Sequence, residues 1–286
     1  MPFYFAVYGY EITKRCEFAN FELLPVEENY KKARELALDK DQFNLTAIGE
    51  IKGDPNPHEL FDLAGALTFC AQQWVVVSNA HNFPEKTNFK DVLEKFPQVY
   101  ETTHKRPAQG PLIMEDTFYP EARRNYLDLC ISRLRDEEFE NKTNFRKAFF
   151  RNVEIYRMPY RFIDVTYYLL FSSLEILART FTNNYTSSVA VVATDFLRRL
   201  GFAVSQDDNN SRHLGVQTYV HLRNALFHNG NFEKSVPENG NIITLKLKDY
   251  IGYLCRLMPD VLLRVIEYDD AHINWNRWID FQPFKG

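Results

Sequence analysis

Residues 219–230 read YVHLRNALFHNG, and the spacing of their apolar side chains predicts the end of an amphipathic helix. Val216, Tyr219 and Arg223 recur at intervals of three and four residues, which places them on one stripe of that helix. Gly230 follows, and glycine commonly ends helices because it adopts the left-handed conformation without strain. Since the stripe is otherwise apolar, we expect the Arg223 side chain to lie against the core.

A guanidinium at such a position needs an anion, because burying an unpaired charge is costly. The anion for Arg223 is an internal carboxylate, a group of a second subunit or a ligand phosphate, and the residues alone leave these alternatives open. Asn224 and His228 are four residues apart and are therefore neighbours on one edge of the helix. Imidazole is the side chain best suited to proton transfer near neutral pH. The sequence thus predicts a polar cluster of Arg223, Asn224 and His228 at a helix end.

The sequence around this helix predicts an all-α bundle over residues 111–286. Helical segments begin or end at proline and glycine residues, among them YPEARRNYLDLCISRLR, PYRFIDVTYYLLFSSLEILARTFTNN and SSVAVVATDFLRRLGF. The aromatic C-terminal tail, HINWNRWIDFQPFKG, is expected to pack back on the bundle. The segment FIDVTYYLLFSSLEILA carries Asp164 and Glu175, which favours a buried helix over a membrane span.

Residues 1–110 have a different pattern and predict an α+β domain. Partly alternating segments such as FYFAVYGYEI, CEFANFELLPV, QFNLTAIGEIKG and WVVVSNA are typical of strands. PVEENYKKARELALDK and NPHELFDLAGALTFCAQQ predict helices. An irregular, proline-bearing stretch over about residues 90–118 is predicted to be the linker between the domains.

Composition limits the classes of partner. The formal charge of −4 gives the whole molecule no strong attraction to nucleic acid or anionic lipid, so any phosphate recognition must come from a local cluster. The four cysteines are far apart and show no disulfide or zinc spacing, which predicts reduced thiols in a cytoplasmic protein. The first residues, MPFYFAVYGYEITKR, lack the features of a signal peptide.

Residues 223–228, Arg-Asn-Ala-Leu-Phe-His, match the R-N-x-x-x-H motif, and the chain here resembles the HEPN domain superfamily, most closely its ApeA-like form. The resemblance covers roughly residues 145–270 and includes the preceding segment LLFSSLEILARTF. It implies a helical bundle that dimerises and cleaves RNA without a metal or cofactor, by attack of a ribose 2′-hydroxyl on the adjacent phosphate. Arg223, Asn224 and His228 would be the catalytic residues.

The resemblance also implies a setting: a bacterial toxin or antiphage defence system in the cytoplasm, with no membrane association. The α+β domain would then sense a protein or phage-derived trigger, or restrain the nuclease. A catalytically inactive HEPN module that binds RNA, nucleotide or a protein partner is the alternative, because a fold does not guarantee a working site. An inactive module would be expected to have lost at least one of the three motif residues.

Other residues leave alternatives open. Glu175 either accepts hydrogen bonds from Arg223 or Asn224, which would support the site, or pairs with Arg179 four residues on. His221 is expected to face solvent. Glu50 and Lys52 form an E-x-K pair on a predicted strand, as in metal-dependent nucleases, but alternation of charges on a solvated strand face explains them as well. No histidine set has metal-ligand spacing, so no metal is predicted.

Overall fold

The computed structural model describes residues 1–100, 110–238 and 240–285. The chain divides into two compact units. The first comprises Met1–Arg135 together with Tyr156–Tyr160, and the second comprises Asp136–Ile155 together with Arg161–Gly286.

The first unit is built on an antiparallel sheet, as the sequence predicts for an α+β region. Its strands are β1 (Phe3–Tyr8), β2 (Cys16–Phe18), β3 (Phe21–Pro25), β4 (Phe43–Ile51), β5 (Val76–Val77), β6 (His81–Asn82) and β7 (Val99–Tyr100). The order is β2-β3-β4-β1-β5, with β6 added to β1 and β7 to β4. β4 is central because it pairs with β1 on one side and β3 on the other. Its Gly49 faces the Phe5 ring closely, and a Cβ there would lie 2.0 Å from Phe5 Cζ.

The helices of the first unit begin where asparagine side chains cap their first turns. They are α1 (Tyr30–Leu38), α2 (Pro57–Ala71), α3 (Phe89–Lys95) and α4 (Pro120–Arg135), and Asn29, Asn56 and Asn88 cap the first three. α3 and β7 correct the prediction of an irregular linker from about residue 90, since the Asn88 cap and the buried Val92 make a short helix there. The rest of that predicted linker includes residues 101–109, which lie outside the described residues.

α4 explains why the compact units divide the chain later than residue 110. Tyr126, Leu127 and Ile131 are fully buried, and the Tyr126 hydroxyl donates to the Ala66 carbonyl of α2 at 3.4 Å. Proline content indicated where regular structure pauses, but the apolar face of α4 has its packing partners in the first unit. α4, which the sequence analysis placed at the start of the second domain, therefore lies in the first compact unit.

The second unit is mainly helical. Its helices are α5 (Glu137–Thr143), most of α6 (Phe145–Arg157), α7 (Ile163–Thr182), α8 (Val189–Arg199), α9 (Val216–Asn229), α10 (Leu247–Val265) and α11 (Arg277–Asp280). α7 packs on α8, α9 and α10. In the tail, Trp278 is buried and Arg277 forms an ion pair with Asp260 of α10, so the tail packs back as predicted.

A β-hairpin corrects the prediction that this part of the chain is all-α. Strands β8 (Glu233–Glu238) and β9 (Asn241–Lys246) pair antiparallel between α9 and α10. The sequence carries the signal, since Asn239 and Gly240 form an Asn-Gly pair of the kind that favours tight hairpin turns. Gly240 has a φ of +81°, which glycine adopts readily. Among the described helices, none combines the length and hydrophobicity that a bilayer crossing requires.

Candidate functional site

The helix that carries the predicted cluster, α9, is held in place by its buried face. Val216, Tyr219 and Leu222 are buried on this helix. The Tyr167 hydroxyl of α7 donates to the Tyr219 carbonyl at 2.6 Å, and the Tyr219 hydroxyl donates to the His213 carbonyl at 2.9 Å. The first hydrogen bond holds α9 against α7, and the second ties α9 to the turn that precedes it.

Gly230 ends α9 as predicted. It has a left-handed φ of +66°, and its N–H donates to the Leu226 carbonyl at 2.9 Å. The N–H of Asn231 donates to the Ala225 carbonyl at 3.1 Å, which completes the cap. His228 therefore occupies the last turn of the helix, and it is exposed to solvent together with Asn224.

The Arg223 side chain is 25% exposed, so most of it is covered, as its place on the apolar stripe predicts. Its guanidinium lies over the Phe227 ring, 5.1 Å from the centroid. Nη1 donates to Asn224 Oδ1 at 3.0 Å, and Nη2 lies 3.5 Å from Glu175 Oε2. The internal carboxylate is thus one anion that Arg223 meets.

This internal pairing leaves the guanidinium incompletely satisfied. The 3.5 Å between Arg223 Nη2 and Glu175 Oε2 is longer than a charge-assisted hydrogen bond, which measures about 2.7–2.9 Å. Within the part of the chain that the structure describes, the buried Nε of Arg223 has no hydrogen-bond acceptor. Arg223 therefore retains donor capacity beyond its contacts with Asn224 and Glu175.

Glu175 contacts both arginines that the sequence suggested as alternatives. Its Oε1 accepts from Arg179 Nε at 3.0 Å, while Oε2 faces Arg223. Arg179 also donates to the carbonyl oxygens of Asn184 and Ser187, which follow α7. Glu175 accordingly connects the C-terminal part of α7 to the motif on α9.

An exposed aromatic surface adjoins the cluster, and sequence reasoning did not identify it. The Tyr168 ring of α7 lies 4.9 Å from the Phe227 ring and is 52% exposed. Val165 on α7 and Phe162 at its N-cap precede Tyr168 at intervals of three residues and are also exposed. The available signal was the four-residue spacing of Arg223 and Phe227, which puts an aromatic ring beside the guanidinium.

His221 is only partly exposed, whereas the sequence predicted that it faces solvent. It is partly buried beside a polar cavity of about 250 Å³, whose lining includes Arg212 and Glu238. Burial, and to a lesser extent nearby Lys234, lowers the pKa of His221, while Asp207 acts in the opposite direction. The hairpin, which the sequence analysis missed, supplies Glu238 and so accounts for the difference.

The E-x-K pair is divided between two different surroundings. Glu50 lies on β4 near the Tyr4 hydroxyl, whose pKa is raised by burial and by Glu50. Lys52 lies beyond the end of β4 and forms an ion pair with Glu17. Among the described residues, no group of three or more His, Cys, Asp or Glu side chains is arranged to hold a metal ion.

Fold and site together define a protein with an antiparallel-sheet unit and a mainly helical unit, in which an arginine, an asparagine and a histidine share the last turns of one helix. No known family model, curated protein or solved structure matches the chain.

Proposed function

We propose that the protein is a metal-independent endoribonuclease of the HEPN type, acting as a homodimer in a bacterial toxin or antiphage defence system. The observation that carries the proposal is the exposure of Asn224 and His228 on the same helix as a partly exposed, incompletely satisfied Arg223. The reaction joins the ribose 2′-oxygen to phosphorus and breaks the bond from phosphorus to the 5′-oxygen. Its products are a cyclic phosphate and a 5′-hydroxyl.

Arg223 is assigned to the phosphate. A planar guanidinium offers paired N–H donors to phosphate oxygens and stabilises the charge that develops on them during attack. Glu175 and Asn224 restrict where the guanidinium points, and the long contact to Glu175 allows an incoming phosphate to compete for it. The net charge of −4 makes such a local cation necessary for phosphate recognition.

His228 is assigned to proton transfer. The proton of the attacking 2′-hydroxyl must leave, and the departing 5′-oxygen must receive one, and an exposed imidazole can perform either step. Asn224, one turn earlier on the same edge, would orient the imidazole or donate to the phosphate. Two copies of the motif meeting across a dimer would supply one imidazole for each transfer.

The aromatic surface of Tyr168 and Phe227 suits a single-stranded substrate or the second subunit. Exposed rings stack on unpaired bases with little sequence preference, and they also pack across protein interfaces. The Phe227 ring lies directly against Arg223, so either partner would be brought to the guanidinium.

A second candidate function is a non-catalytic module that binds RNA, nucleotide or a protein partner. The ion pair between Arg223 and Glu175 favours it, because an internal acid supplies a counter-charge without any substrate. In this case Arg223 would hold α7 and α9 together, and His228 would be an ordinary exposed residue.

The test is cleavage of total RNA and transfer RNA in EDTA by the purified full chain and by His228→Ala. His221→Ala is the matched control, because it removes a histidine of the same helix that faces a different cavity. We expect wild type and His221→Ala to cleave, and His228→Ala to lose about 100- to 10,000-fold in rate. Products should carry 5′-hydroxyl groups, and RNA with 2′-deoxy sugars at the cleavage points should resist.

Equal cleavage by wild type and His228→Ala, or cleavage that needs a divalent cation, would rule out the proposed mechanism. If RNA is bound but not cleaved, and Arg223→Ala weakens binding, the second candidate is supported. Sedimentation velocity of the same samples tests the dimer.

A further inference from the structure

The first unit contains a cavity that the proposed nuclease does not use. It has a volume of about 420 Å³ and lies between the chain that follows β1 and the first turns of α4. Its lining includes Tyr10, Lys14, Cys16, Asp116, Arg123 and Arg124. The volume is within the range of about 300–1,000 Å³ found for small-molecule sites.

Arg123 is the central charged group of this cavity. It is only 5% exposed, and its guanidinium lies over the Tyr10 ring, 5.4 Å from the centroid. Nη1 donates to the Glu11 carbonyl, while the buried Nε has no hydrogen-bond acceptor within the described chain. Leaving a charged donor buried without an acceptor is unfavourable, so the geometry favours an anion at this place.

Two carboxylates act electrostatically on Arg123, those of Glu11 and Asp116, and both have other partners. Glu11 Oε2 accepts from Arg34 at 3.1 Å. Asp116 Oδ2 accepts from the N–H of Thr13 at 2.8 Å and from the N–H of Lys14 at 3.0 Å, and Oδ1 accepts from the Thr13 hydroxyl at 3.0 Å. These three hydrogen bonds fix the carboxylate as part of the wall. Glu11 and Asp116 balance part of the charge of Arg123, but neither accepts a hydrogen bond from its Nε.

The other charges at the rim leave one cation unmatched. Glu121 pairs with Arg124, and Glu17 pairs with Lys52. Lys14 is exposed, and within the described residues its ammonium group makes no ion pair. The lining therefore offers a buried guanidinium with spare donor capacity and an unpaired ammonium group.

Covalent chemistry is not expected at this cavity. The thiol of Cys16 is a nucleophile in the cavity lining. Burial raises its pKa to about 12, so it stays protonated at neutral pH. Binding, rather than reaction, is what the lining can perform.

We propose that this cavity binds a small molecule through a phosphate group, with Arg123 and Lys14 as its cationic contacts. A phosphate monoester has three terminal oxygens and suits several converging N–H donors better than a carboxylate, which has two. The remaining volume accommodates the organic part against Ile12 and Pro120. With such a site, the first unit would respond to the concentration of a phosphorylated metabolite.

The experiment is calorimetric titration of the full chain with AMP and with inorganic phosphate, and with acetate as the carboxylate probe. Arg123→Ala removes a buried group and is expected to affect folding, so Lys14→Ala is the informative variant. Lys31→Ala is its control, since Lys31 is an exposed lysine of α1 outside the cavity. Arg223→Ala shows whether any phosphate binding belongs to α9 instead.

We expect saturable binding of AMP and phosphate by wild type, Lys31→Ala and Arg223→Ala. Lys14→Ala should bind about tenfold more weakly, the loss of one charged contact. Absence of saturable binding, equal affinity of wild type and Lys14→Ala, or loss in Arg223→Ala alone would overturn the proposal. Binding of acetate as tight as that of phosphate would overturn the choice of ligand.

Discussion

Removing the Glu175 carboxylate measures how firmly α7 holds the arginine of α9. At the observed 3.5 Å between Arg223 Nη2 and Glu175 Oε2, Coulomb attraction is about 1 kcal/mol in water and about 5 kcal/mol at an effective dielectric constant of about 20. The two side chains are 25% and 21% exposed, so solvent screening and lost rotamer freedom reduce the net value. We expect a coupling free energy of about 1 kcal/mol.

Arg179 supplies a matched reference on the same carboxylate. Its Nε donates to Glu175 Oε1 at 3.0 Å with hydrogen-bond geometry, which the Arg223 contact lacks. A charge-assisted hydrogen bond is stronger than an ion pair at longer range. The Arg179–Glu175 coupling should therefore exceed the Arg223–Glu175 coupling by about 0.5 kcal/mol.

Two double-mutant cycles give both values. Urea unfolding is measured for wild type, Glu175→Ala, Arg223→Ala, Arg179→Ala and the two double variants, and each coupling is the departure from additivity. A coupling of about 2 kcal/mol or more for Arg223–Glu175, or one larger than that for Arg179, would refute the reasoning. It would mean that Arg223 is a firmly paired structural residue, with little freedom to bind phosphate.

Gly49→Ala should lower the free energy of unfolding by about 3 kcal/mol, because the new Cβ would lie 2.0 Å from Phe5 Cζ. In urea unfolding, the double variant with Gly49→Ala and Phe5→Leu should lose less free energy of unfolding than the sum of the two single losses. Gly230→Ala should lower the stability by about 1 kcal/mol in thermal unfolding, because φ is +66° and, among the described residues beyond its chain neighbours, no atom lies within 4 Å of the added Cβ. Gly230→Asn should cost less, and equal losses would contradict a cost that comes from the left-handed backbone. Burial raises the pKa of Asp260 from 3.8 to about 7, although Arg277 acts in the opposite direction. Between pH 3.8 and about 7, Asp260 is therefore protonated in the folded chain and ionised in the unfolded chain. Stability should therefore fall by up to about 1.4 kcal/mol per pH unit as pH rises through that window, and Asp260→Asn should remove this part of the slope in urea unfolding.

The sequence predicted the elements of the fold better than their grouping. The helices from α4 to α10 and strands β1 to β4 follow local signals: caps, glycine stops and apolar periodicity. The membership of α4 in the first unit depends on which surface covers Tyr126 and Ile131. Apolar periodicity predicts that these side chains are buried but not which part of the chain buries them. The hairpin was missed because the polar composition of β8 resembles a loop, although the Asn-Gly pair was present.

At the candidate site, the sequence predicted which side chains share a helix end but not their contacts. Helical spacing placed Arg223 on a largely covered stripe, and Gly230 indicated where α9 ends. The i,i+4 contact of Glu175 with Arg179 lies within α7, as its spacing allowed. The contact of Glu175 with Arg223, and the ring of Tyr168 beside Phe227, required the packing of α7 against α9. Such contacts join residues about 50 positions apart in the sequence, and no local pattern specifies them.

A second ion pair of the same unit shows by contrast how exposed the pairing of Arg223 is. Asp260 and Arg277 form a structural ion pair: the side chains are 0% and 7% exposed, and Arg277 Nε lies 2.6 Å from Asp260 Oδ1. The Arg223–Glu175 pair is longer, at 3.5 Å, and both side chains are at least one-fifth exposed. The closer, drier geometry of Asp260 and Arg277 does not make that pair the more stabilising one, because burial raises the pKa of Asp260 and opposes its ionisation. The pair of Arg223 and Glu175 instead keeps a partly exposed guanidinium within reach of solvent, on the helix that carries the exposed His228, as the proposed binding and release of phosphate require.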